Sequence, residues 1–269
     1  SSAASDVYKR QVLGTVLRYE RTARYLEEFM KVKYHFSDIP LKSINLEFVK
    51  EFEHFIKIEK GCAQNATVKY LKNFKKIIRH ALSNKWIDGD PFAEIHFRQT
   101  ASNREFLTEE ELNKLIEKDF TIPRMEVVRD IFVFCSLTGL AFTDVQHLTP
   151  EHIFRDMDGS LWIRKTREKT DNMCNIPLLD LPLKLIQKYQ NHPECIRKGV
   201  VMPVPCNQRM NSYLKEIADA CGIQKTLTTH IARHTFACLA IANKVSTESI
   251  AKMLGHTDIR TTKIYARVL

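Results

Sequence analysis

The chain has 269 residues, 44% of them hydrophobic, enough for one large core or two smaller ones, and its thinly spread glycine and proline exclude collagenous and low-complexity architectures. Lys and Arg outnumber Asp and Glu 41 to 32, a formal charge of +9 that favours a polyanionic partner such as nucleic acid. No run approaches the roughly 18 apolar residues of a membrane span, and the opening SSAASD lacks the charged start and apolar centre of a signal peptide, so a cytoplasmic protein is expected.

Residues 1–11 read as a leader or vector-derived remnant outside the fold. From 12 to 98 apolar residues recur at helical spacing. Leu13, Val16, Leu17 and Tyr19 begin a run that continues through Tyr25, Leu26, Phe29 and Met30. After Ile39-Pro40, Asn45 can cap a helix carrying Phe48, Val49, Phe52 and Phe55. A third run, Val68 to Leu82, ends before the turn at Asp88-Gly89-Asp90-Pro91. Its cations Lys69, Lys72, Lys76 and Arg79 are candidates for phosphate contacts that would position DNA without reading it. A solvated helix face explains each of them nearly as well.

Residues 99–107 are polar and aperiodic at their start and read as a linker, and Thr108 with Glu111 forms a capping box that opens a second domain, 108–269. The segment Val127 to Leu137 is almost wholly apolar and belongs in the centre of that domain, stopping at Thr138-Gly139. A short helix follows near Thr143-Asp144. Leu161 to Lys169 and Cys174 to Ile176 flank turn residues Thr170-Asp171-Asn172 and read as a hairpin in which Lys165, Arg167 and Lys169 share one strand face. Protection of a sheet edge is the plainer use of such charges. Helices resume after Pro182, near Leu183 to Tyr189, Asn211 to Cys221 and His230 to Asn243, and Ser246 caps a last one that ends at Gly255. The expected fold class is mainly α with a small β-hairpin or sheet: a helical domain followed by a mixed α+β domain.

The last forty residues carry the chemistry. His230 and Arg233 stand in HIARHTFA, His256 in LGHTD, and Tyr265 in TTKIYA, nine residues after His256. With TGL at Thr138 to Leu140 and the KT…IP pattern at Lys169 to Pro177, these ordered motifs resemble the tyrosine recombinase (phage integrase) family, over nearly the whole chain from Val12. The resemblance implies a core-binding, SAM-like DNA-binding domain over 12–98 that closes with the catalytic domain around duplex DNA.

A phenol with a pKa of about 10 is a weak nucleophile at neutral pH, and a phosphodiester repels anions, so such a site must remove a proton and neutralise developing charge. By the resemblance, Tyr265 attacks the scissile phosphate to form a 3′-phosphotyrosyl bond, and Lys169 protonates the leaving 5′ oxygen. Arg233 binds nonbridging oxygens through its planar fork, His230 acts as acid or base toward the tyrosine, and His256 donates to a phosphate oxygen. Because the covalent bond stores the phosphodiester energy, neither ATP nor metal is called for. No nucleotide-binding loop or clustered metal-ligand motif occurs, so no cofactor is expected.

One position departs from the family. An arginine follows TGL there, whereas this chain has Ala141, and losing one transition-state donor costs about 10²- to 10³-fold in rate. Arg167 is the first candidate to replace it, from its expected place on the strand face of Lys169. Arg129 is the second, although it begins the helix that leads to TGL and lies about 18 Å from Ala141 along a straight helix. Alanine or serine after TGL resembles a subgroup of active integrases from mobile elements of Bacteroides-like bacteria.

The reading is therefore a site-specific integrase working as a homotetramer on two double-stranded DNA sites, with accessory DNA-bending or directionality proteins as further partners. Its rivals are a dimer-resolving recombinase of the same family and a DNA-binding protein impaired in catalysis. A type IB topoisomerase shares the chemistry, but the compact helical first domain argues against it. By the resemblance, an arm-binding domain would precede Val12 and a docking helix would follow Tyr265, and self-association without DNA should be weak. His147 and His152 read as surface or packing histidines, and His234 as a structural hydrogen-bonding residue. Arg260 and Lys263 are plausible phosphate contacts. The seven cysteines are scattered and read as reduced thiols, with Cys135 and Cys238 as small buried hydrophobes.

Overall fold

The computed structural model of the chain describes residues 2–100 and 105–267, and these divide into two compact units, 1–102 and 103–269. Part of the expected linker, residues 101–104, lies outside the described residues. The ends that flank it belong to their own units. Asn65 holds Thr100 through two 3.0 Å hydrogen bonds. Leu107, expected in the linker, is fully buried in the second unit, where its N–H donates to Thr235 Oγ1 at 2.9 Å.

The first unit packs three helices, α1 (Ser2–Tyr34), α2 (Leu46–Ile58) and α3 (Gln64–Ser83), around an aromatic core of Phe29, Phe48, Phe52, Phe55, Phe74 and Phe92. Helix α1 runs back to Ser2, through residues that the sequence assigned to a leader. Polar SSAASD carries no apolar stripe from which that turn could be read. Val16 and Leu17 are exposed, so the apolar stripe of α1 enters the core only further along, from Tyr25 and Leu26 to Phe29. Asn45 caps α2 as expected, its Oδ1 accepting from Phe48 N at 2.9 Å.

In the second unit, α4 (Glu109–Glu117) begins with the Thr108–Glu111 capping box, both of its hydrogen bonds being present. The apolar α5 (Pro123–Thr138) forms the centre, with α4, α7 (Asp180–Tyr189), α9 (Asn207–Ala220) and α10 (Thr229–Ala242) packed against it. The remaining helices are α6 (Phe142–Gln146), α8 (Pro193–Lys198), α11 (Thr247–Met253) and α12 (Arg260–Lys263), and Tyr265–Arg267 forms a 3₁₀ turn. Gly139 ends α5 at φ 67°, with Phe236 and Leu254 so close that no side chain fits there.

The expected hairpin is a three-stranded antiparallel sheet, β1 (Ile153–Arg155), β2 (Leu161–Thr166) and β3 (Met173–Pro177), in that order. Ile163 pairs with Ile153 on one side and Ile176 on the other. Lys165 follows Ile163 on the same buried face. Strand β2 stops at Thr166, so the predicted alternation does not carry through to Lys169. Arg167 N donates to Asn172 O and Asp171 N to Arg167 O, which folds 167–172 into a turn. Lys169 is consequently an exposed turn residue, whereas Arg167 is half-buried.

Among the described residues no helix is long and apolar enough to cross a membrane. All seven cysteines are free thiols. Burial, with the nearby Asp144 carboxylate, pushes the Cys135 thiol up to about 12, and burial pushes Cys238 up to about 11, so both act as small apolar groups.

Candidate active site

Helix α10 supplies the centre of the site. Arg233 is only 5% exposed, and its guanidinium donates to Gly139 O at 2.5 Å and to Leu254 O. These are the backbone positions at which α5 and α11 stop, so two helix ends converge on one fork. Burial, and then the neighbouring Arg167, lower the Arg233 pKa to about 10, which leaves it charged at neutral pH.

His256 follows Gly255, which turns the chain at φ 59° just past α11. Its Nε2 lies 3.3 Å from Arg233 Nη2 and its Nδ1 2.8 Å from Thr262 Oγ1. Thr262 is fully buried on α12, so the helix before the tyrosine also orients the histidine.

Arg167 joins the same cluster from the turn after β2. Its Nη1 donates to Leu254 O at 2.6 Å, the carbonyl that Arg233 also uses. Its Nε lies 2.8 Å from Asp144 Oδ2, an ion pair whose angle falls outside a hydrogen bond. Asp144 is 1% exposed and also accepts from Glu168 N at 3.1 Å and Ala141 N at 3.4 Å. One carboxylate thus ties the backbone of Ala141 to the hairpin turn that carries Arg167. Arg167 does not share a strand face with Lys169, because β2 ends at Thr166; it enters the cluster through Leu254 and Asp144 instead.

Arg129 is used elsewhere. Its Nη1 donates to the carbonyls of Leu115, Ile116 and Lys118, at 2.8 to 2.9 Å, and closes the end of α4, while its Nε pairs with Asp130 at 2.6 Å. Every one of those partners is structural, and the guanidinium is spent on them.

Tyr265 is 3% exposed, and its hydroxyl lies 2.8 Å from Nδ1 of His234, itself 5% exposed. The exposed ring of His230, one helical turn earlier on α10, packs edge-on against His234 with centroids 4.2 Å apart. The sequence read His234 as a structural hydrogen-bonding residue, and it does hydrogen-bond, to Tyr265; its place beside His230 follows from i, i+4 spacing on one helix face.

Lys165, read from the sequence as a charge at a strand edge, faces the core. It is 5% exposed and pairs with Glu168 at 3.2 Å. Burial, and then the Lys165 charge, lower the pKa of His152, whose Nδ1 accepts from Thr149 N at 3.0 Å. Arg260 pairs with Asp258 at 3.0 Å at the surface.

Residues 2–99 match the phage integrase SAM-like domain, and residues 105–269 match the phage integrase family. The chain belongs to the phage integrase family. Membership makes it a tyrosine recombinase, an enzyme of site-specific DNA strand cleavage and rejoining. Tyrosine recombinase XerD of Listeria monocytogenes is 25% identical over 271 aligned residues, which cover 95% of this chain and 88% of that protein. Solved structures share the recombinase's fold. The Tn1549 transposon integrase in complex with a circular intermediate DNA has a TM-score of 0.72 at 18% identity, covering 97% of this chain and 94% of that one. A lambda integrase dimer bound to a COC′ core site has a TM-score of 0.70 at 16% identity, covering 98% and 94%.

Proposed function

We propose that this recombinase integrates and excises a mobile element in the cytoplasm, with Tyr265 as nucleophile and Arg167 in place of the arginine that Ala141 lacks. Double-stranded DNA is the substrate, and four copies act on two sites, assisted by DNA-bending or directionality proteins. Arg233 and Arg167 clamp the nonbridging oxygens of the scissile phosphate, and His256 donates to one of them. Lys169, exposed in the turn after β2, protonates the leaving 5′ oxygen. The exposed face of α3, with Lys69, Lys72, Lys76 and Arg79, contacts phosphates away from the break.

The observation that carries this reading is the carbonyl of Leu254, which accepts hydrogen bonds from both Arg167 and Arg233. Two guanidiniums that meet at one oxygen support the reading that they share one phosphate. The fixed partners hold them there before substrate arrives, the preorganisation that phosphoryl chemistry rewards. The mobile-element role is supported by the fold likeness to the integrases of Tn1549 and lambda.

A duplex nicked near the cleavage position, which lets the product strand diffuse away, tests the proposal. The parent should form a covalent DNA adduct that Tyr265→Phe does not. A parent chain that binds the same duplex and never forms the adduct would instead be a DNA-binding protein without catalysis.

A further inference from the structure

We infer that His234 is the group that takes the proton from Tyr265 during cleavage and returns it during rejoining. This assignment rests on the recombinase reading above and adds a catalytic residue to it. The hydroxyl that must lose a proton lies 2.8 Å from His234 Nδ1, within the reach required of a general base. Tyr265 and His234 are 3% and 5% exposed, so the contact lies away from bulk water. An imidazole is the side chain whose ordinary pKa suits proton exchange near neutral pH.

Placement on α10 adds to the argument. His234 directly follows Arg233, so the base and the phosphate clamp are fixed by one turn of one helix. His230 packs against His234 from the first turn of α10 and is exposed.

The step balances. The Tyr265 O–H bond breaks and its proton goes to His234 Nδ1, giving an imidazolium that keeps its Nε2 proton. The phenolic oxygen bonds to phosphorus, the bond from phosphorus to the 5′ oxygen breaks, and that oxygen takes a proton from Lys169. On rejoining, a 5′ hydroxyl attacks, its proton passes to Lys169, and the departing tyrosine oxygen recovers its proton from His234.

The test uses the full chain and a nicked duplex whose scissile 5′ oxygen is replaced by sulfur, a leaving group that needs no acid. His234→Gln should slow adduct formation about 10²- to 10⁴-fold, the usual contribution of a general base. Replacing Tyr265 in that variant by a fluorinated tyrosine, whose phenol ionises near neutral pH, should restore most of the loss. A His234→Gln chain that cleaves like the parent overturns the assignment, and so does a slow one that the acidified phenol fails to rescue. Ring ¹⁵N NMR of the DNA-free parent covers a variant that does not fold. His234 should be neutral with its proton on Nε2, and a neutral ring protonated at Nδ1, donating to the phenol, would overturn the inference. That measurement needs no cleavage, so a failed recombinase reading and a failed His234 assignment give different results.

Discussion

Among the described side chains of residues 14–100 no cation is buried: Lys69, Lys72, Lys76 and Arg79 line an exposed face of α3, and the core beneath is aromatic. Residues 105–267 do bury cations, Arg129, Lys165 and Arg233 each being less than a tenth exposed and each given named partners. A surface cation is solvated, screened by salt and replaceable by its neighbour. A buried one has lost its water and must be held by fixed dipoles or a counter-charge. The first arrangement suits sequence-independent adhesion to a phosphate backbone, the second the stabilisation of one phosphate at one position.

The contrast breaks first at Asp144. Removing the carboxylate by Asp144→Ala leaves Arg167 largely buried without its counter-charge, a change that costs about 3–5 kcal/mol. Denaturant unfolding should show that loss, and adduct formation should fall with it. Arg233→Ala follows. The rate of adduct formation should drop by about 10²- to 10³-fold or more, and the abandoned Gly139 and Leu254 carbonyls should lower stability by about 1–3 kcal/mol.

Gly255→Ala should act through Arg167. A Cβ at that position would lie 2.7 Å from Cys174 Sγ and 2.9 Å from Arg167 Cγ, at a φ of 59° that costs a side chain roughly 1–2 kcal/mol. Cleavage should weaken more than DNA binding does. On α3, alanine at Lys69, Lys72, Lys76 or Arg79 should leave the melting temperature within about 2 °C. Each such change should reduce the slope of log affinity against log salt by about 1 in a titration with duplex DNA.

The smallest effect concerns Glu111. Its burial opposes ionisation, but Lys225 at its carboxylate and the Thr108 cap win and hold its pKa below the usual glutamate value. A depressed carboxylate stabilises the fold above its unfolded pKa and loses that contribution as pH falls through the folded value. Glu111→Gln should therefore cost about 1 kcal/mol at neutral pH, with the difference from the parent closing below about pH 4.

Features set by neighbours in the chain were readable in the sequence. The caps at Asn45, Thr108 and Ser246 and the stop at Gly139 need only local spacing, and each stands where it was expected. Features set by tertiary contact were not. Alternation picked Arg167 for a reason that fails, because β2 ends at Thr166, and its true anchors, Asp144 and Leu254, are remote in sequence. Lys165 looked like edge protection because no local pattern distinguishes a charge facing the core from one facing water. His234 could be placed beside His230 by helical spacing, but only the fold brings Tyr265 to it. Strand β1 and helix α8 are three and six residues long, too short for periodicity to register.

The central claim is that the turn after β2 supplies the arginine missing after TGL, and moving that charge tests it directly. Arg167→Ala should slow adduct formation on a nicked duplex by about 10²- to 10³-fold. Adding Ala141→Arg to that variant should recover much of the loss. An Arg167→Ala chain that forms the adduct as fast as the parent would contradict the account.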